Sequence, residues 1–134
     1  MALAYRTRSD LITNALAKLG VAISNQPPDL EDVQYVDTEI ESIFRKLESI
    51  EICFVPDRGQ PGPAGGNIPS AMFDDLGSIV AELVAPKFGI SSDDMAKVTA
   101  KGLGIPPGSG AAAMSLHKIV RGRPTFEDLR TQYF

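Results

Sequence analysis

The chain has one cysteine, one histidine and no tryptophan. A lone cysteine, Cys53, excludes an internal disulfide and any multi-cysteine metal site. A lone histidine, His117, excludes a His-pair metal site and leaves little material for Ser-His or Cys-His catalysis. Aromatic residues make up 7% of the chain, too few for a base-stacking platform. Positive charge is not in excess: 13 Lys and Arg face 17 Asp and Glu, for a net charge of −4 and a pI of about 4.9. That is the wrong sign for a protein whose main task is to grip phosphates. No apolar run approaches the roughly 18 residues of a membrane span. Residues Met1 to Asp10 lack the apolar stretch of a signal peptide. The expectation is a chain with no membrane partner and no cofactor.

What is present suits one folded domain. Hydrophobic residues are 43% and charged residues 22% of 134, ordinary values for a globular chain. Four segments carry helical periodicity. The first runs from about Ser9 to Leu19, with Leu11, Ile12, Ala15, Leu16 and Leu19 on one face, Thr7 or Ser9 as cap and Gly20 as the stop. The second runs from Leu30 to Ser49 behind the cap Asp29, with a seam of Val33, Val36, Ile40, Ile43, Leu47 and Ile50 that Phe44 widens. The third runs from Ser70 to Phe88, with Met72, Phe73, Leu76, Ile79, Val80, Leu83 and Val84 on one face; Pro86 kinks or ends it. The fourth opens at Ser91 or Ser92, points Met95, Val98 and Thr99 inward, and ends by Gly104.

Between the second and third helices, Glu51 to Val55 reads as a short strand or an exit from the bundle. The Gly/Pro stretch from Pro56 to Pro69 reads as an exposed loop. After the fourth helix, residues 105–113 have a linker composition, and Met114 to Val120 reads as an edge strand. Phe126, Leu129, Tyr133 and Phe134 then form an apolar stripe at helical spacing. The sequence therefore predicts an all-α fold, a small four-helix bundle over 1–104 with a long Gly/Pro-rich loop. A C-terminal arm over 105–134 is expected to order on another chain.

Chemistry-bearing residues offer little catalysis. Cys53 sits in an apolar run and reads as a buried, inert thiol. His117 has no neighbouring carboxylate or nucleophile and reads as a surface or interface residue. The pairs Asp74-Asp75 and Asp93-Asp94 fall near helix starts, where carboxylates stabilise the dipole. Glu39, Glu41, Glu48 and Glu51 are spread along one helix, with Glu41 expected to pair with Arg45. Gly62 to Gly66 lacks the spacing of a phosphate loop. More informative are two basic clusters, Lys118, Arg121, Arg123 and Arg130 in the tail and Arg6, Arg8 and Lys18 near the start. Carboxylates concentrate between Asp29 and Glu51. This asymmetry suits contact with a partner or between copies of the chain, in preference to DNA.

Two stretches carry a family likeness: Ser9-Asp-Leu-Ile-Thr-Asn-Ala-Leu-Ala-Lys-Leu-Gly-Val21, before a Pro-bearing loop and an acidic helix, and Ala81-Glu-Leu-Val-Ala-Pro-Lys-Phe-Gly89, before a capped short helix. With the Gly/Pro loop between helices two and three, residues 7–103 resemble the head–tail connector (adaptor) family of tailed double-stranded DNA phages. That family includes the packaged-DNA stabilisation or tail accessory factors. The resemblance implies a non-enzymatic virion protein of the neck, made in the bacterial host cytoplasm. It implies a ring, commonly of twelve copies, under the portal protein, which extends the DNA channel and helps retain packaged DNA. The ring would offer a platform to the next tail or neck protein and pass double-stranded DNA without sequence-specific contacts. The arm would dock on the portal or a neighbouring copy through Leu116, Lys118, Ile119, Arg121, Arg123, Phe126, Leu129, Arg130, Tyr133 and Phe134. The rival expectation is a small non-viral helical binding or regulatory module whose tail folds on a partner protein.

Overall fold

The computed structural model describes residues 5–21, 28–55, 59–60 and 65–120. The fold is all-α. Five α-helical segments occur among the described residues: α1 (Arg8–Lys18), α2 (Leu30–Ser49), α3 (Ser70–Val84), α4 (Ser92–Lys101) and α5 (111–120). One 3-10 turn, Ala85–Phe88, extends α3 and contains Pro86, so the third helix tightens there and stops at Gly89. Two short strands, β1 (Tyr5–Arg6) and β2 (Ile68–Pro69), pair antiparallel and bring the start of α1 to the start of α3. No described helix is long and apolar enough to cross a membrane.

Local chemistry explains the helix ends. Thr7 forms a capping box with Asp10: its hydroxyl accepts from the Asp10 amide at 3.1 Å, and its own amide donates to the Asp10 carboxylate at 3.3 Å. At the other end Gly20 is left-handed, and the amides of Val21 and Gly20 donate back to the carbonyls of Leu16 and Ala17. The same closure ends α2, where Ile52 donates to Leu47 and Glu51 to Glu48. There the left-handed residue is Glu51, with φ of 60°. Ile52, not Ile50, therefore turns into the core; Ile50 caps the helix and is exposed.

The core is built around α3. Met72, Phe73, Leu76, Ile79, Val80 and Val84 are buried on it, and α1, α2 and α4 all pack against it. Leu11, Ile12, Ala15 and Leu16 come from α1; Val36, Ile40, Ile43, Phe44 and Leu47 come from α2. Leu83, expected on the buried face, is half-buried, and Glu82 is buried in its place. Gly77 sets the approach of α1: a Cβ there would meet the Asn14 side-chain oxygen at 1.9 Å.

Beyond Lys101 the structure departs from the sequence reading. Residues 111–120 form a helix, not an edge strand. Leu103, Ala112, Ala113 and Leu116 all lie in the same core cluster as α1 to α3, so the described part of 105–134 is continuous with the helical core. Residues 102–110 are a closed turn. The amides of Gly108 and Gly110 donate to the Leu103 carbonyl, and the Ala113 amide donates to Gly102. Its glycines are there for close approach: a Cβ at Gly110 would sit 2.2 Å from the Gly102 carbonyl oxygen. Composition alone cannot separate this use of glycine from a linker.

Leu116 should therefore behave as a core residue. Leu116→Ala is expected to cost about 2–5 kcal/mol in urea unfolding. Met114→Ala, at an exposed position on the same helix, should stay within about 0.5 kcal/mol of the parent.

Candidate assembly surface

Arg8, placed by sequence in a basic surface cluster, is buried, with 1% of its surface exposed. Its Nε donates to Asp37 Oδ1 at 2.5 Å, one terminal nitrogen donates to Glu41 Oε1 at 2.6 Å, and the other donates to the Asp37 carbonyl at 2.7 Å. Its backbone amide donates to the Gly65 carbonyl at 2.9 Å. Glu41 thus pairs across helices with Arg8. Arg6 stacks 4.3 Å over the Phe73 ring, and Lys18, at the far end of α1, pairs with Asp74 at 2.9 Å. The expected N-terminal cluster is therefore dispersed into internal contacts: α1 is about 16 Å long, which holds its two ends apart.

Glu82 is the second buried charge. Its carboxylate accepts from the amides of Leu103 at 3.0 Å and Gly104 at 3.3 Å, which pins the turn after α4 to α3. Burial pushes its carboxyl above the ordinary value of 4.5; the two amides and Lys46 pull the other way. Cys53 is buried, and burial, with Glu48 beside it, pushes its thiol up to about 11. It is protonated at neutral pH and lacks the cationic surroundings of a reactive thiol. His117 is exposed on α5, and among the described residues no three His, Cys, Asp or Glu are grouped to hold a metal. Asp93 and Asp94 are exposed in the first turn of α4, where the Ser91 hydroxyl accepts from the Asp94 amide.

The expected arm divides into two parts. Leu116 is fully buried and Ile119 packs half-buried against the core, so Leu116 is not a contact residue; Lys118 is exposed. Arg121, Arg123, Phe126, Leu129, Arg130, Tyr133 and Phe134 lie outside the described residues.

The surface that looks unfinished is α4. None of its ten residues is buried. Met95, Val98 and Thr99, expected to face inward, are half-buried. Beside the helix lies an open groove of about 630 Å³, lined by Ser92, Met95, Ala96, Thr99 and Ala100 of α4 and by Gly104, Ile105, Ser109 and Gly110 of the following turn. Ile105 is 84% exposed at its edge. No carboxylate, lysine, arginine, histidine or thiol lines the groove, and its surface is more apolar than polar, which suits contact with another chain. Sequence reasoning missed Arg8, Glu82 and this groove. Each depends on contacts between elements distant in the chain.

Removing the Arg8 side chain should leave two carboxylates facing an empty site. Arg8→Ala is expected to cost about 3–5 kcal/mol, and Arg8→Lys to recover part of it, since one ammonium cannot reach all three acceptors. Glu82 carries a pH signature. With its folded value raised, its contribution to stability is full below 4.5 and falls as pH rises through the raised value. Unfolding free energies across the acid-to-neutral range should show the parent losing stability relative to Glu82→Gln as pH rises. Parallel curves would show that Glu82 is not held as described.

Matches were sought among protein-family models, curated proteins and solved structures, and none was found.

Proposed function

We propose that the protein is a non-enzymatic assembly component, a head-to-tail connector of a tailed phage that forms a ring under the portal. The observation that carries this reading is α4: an amphipathic helix with no buried residue, over an apolar groove, on a bundle whose other helices are well packed. Such a surface calls for another chain. The family likeness of residues 7–103 supplies the kind of assembly. In this reading helices α1 to α5 form the subunit, neighbouring subunits meet through α4, and residues 121–134 reach the portal. The ring extends the DNA channel, helps retain the genome and receives the next neck component. A small non-viral binding module would use the same groove for a single partner, in a complex of low order.

The test is electron cryomicroscopy of the full chain mixed with the portal protein of the same genome. The expected result is a ring of copies at the narrow end of the portal. Ala100→Glu, at an exposed position in the groove, should change stability by about 0.5 kcal/mol or less and abolish the ring. Truncation after Val120 should leave the bundle folded and lose portal attachment. A bare portal in the presence of excess folded protein would overturn the connector reading in favour of the binding module.

A further inference from the structure

A second cavity lies on the other side of α4, where it meets α1 and α3. It measures about 150 Å³ and is lined by Lys18 of α1, Ser78 and Ala81 of α3, and Lys97, Val98 and Lys101 of α4. Half of its lining residues are lysine, and none is a carboxylate. Three of the chain's six lysines thus meet at one hollow of a protein whose net charge is −4.

No carboxylate in the lining balances Lys97 and Lys101. Lys97 and Lys101 are one turn apart on the same face of α4, a spacing at which like charges repel. Neither makes an ion pair within 4 Å among the described residues. Lys101 complements the carbonyl end of its helix, but Lys97 is a full turn too early to do so. Lys18 crosses Gly77, where the missing side chain lets its stem lie close to α3, and reaches Asp74. Asp74 is 79% exposed, so that pair is weak and its ammonium is free to exchange partners.

We propose that this cavity is a phosphate-group pocket, with Lys18, Lys97 and Lys101 as its cations. The hollow of about 150 Å³ has room for a tetrahedral oxyanion. Ammonium groups act as point charges with three donors each, which suits a tetrahedral oxyanion. No aromatic ring lines the cavity, so recognition stops at the phosphate. Inorganic phosphate and the phosphodiester of a nucleic acid share this chemistry. The proposal does not rest on the connector reading.

The experiment is a low-salt titration of the full chain with inorganic phosphate, followed by amide NMR shifts. A parallel titration uses a short DNA duplex without terminal phosphates. Saturating shifts are expected at residues 78, 81, 97, 98 and 101. Lys97→Ala and Lys101→Ala should each weaken binding about tenfold, and the Lys→Arg variants should retain most of it. Lys118→Ala makes the same charge change on exposed α5 and should leave binding unchanged. Displacement of phosphate by the duplex assigns the pocket to a nucleic-acid backbone. Phosphate binding that the duplex does not displace assigns it to a free phosphate. Failure of both probes to saturate, or equal weakening by Lys118→Ala, overturns the proposal and leaves the assembly reading standing.

Discussion

The structure depends on burying α3. A helix with Met72, Phe73, Leu76, Ile79, Val80 and Val84 buried must be covered on several sides at once. α1, α2 and α4 provide that cover, each against a different part of its surface. The small residues on α3 set how near the covering helices come. Gly77 admits Asn14 and the stem of Lys18, so α1 lies close. Ser78 and Ala81 leave a hollow where α4 crosses, and that hollow becomes the lysine-lined cavity. One helix thus decides both the core and the sites around it.

Two buried charges fix what hydrophobic packing leaves loose. Apolar contact is non-directional, so it does not by itself set how far α1 slides along α2. Arg8 sets that register through three hydrogen bonds to Asp37 and Glu41. Glu82 does the same for the chain beyond α4, through the amides of Leu103 and Gly104. Both link residues more than twenty positions apart. Replacing such a pair with apolar groups need not lower stability; its effect here is to hold elements in one relation. The turn that Glu82 holds carries α5 back onto the core, and it also forms one wall of the apolar groove.

That placement leaves α4 supported from one side. It rests on α3, has the lysine cavity along one edge and the apolar groove along the other, and buries none of its own residues. The two edges differ in chemistry: one is cationic and small, the other uncharged and wide. A partner chain fits the second and an oxyanion the first. The acidic helix α2 packs against α3 as well, so the fold presents opposite charges from different elements.

The sequence by itself determined the helices. Period, caps and stops placed α1, α2, α3 and α4 within a few residues, because a cap such as Thr7 and a stop such as Gly20 act on neighbours in the chain; Asp29 stands at the start of α2 without a side-chain cap bond. It also determined that Cys53 is a buried thiol, from its apolar surroundings. Only the tertiary structure decided what glycine and charge were for. Gly108 and Gly110 have the composition of a linker, yet they close a tight turn, because their amides bond to the Leu103 carbonyl several residues away. Arg8 and Glu82 have the residue types of surface charges, yet they are buried, because their partners sit on other elements. Met114 to Val120 read as an edge strand, yet 111–120 is a helix. The decision fell to the core, which had room for Leu116 on a helical face.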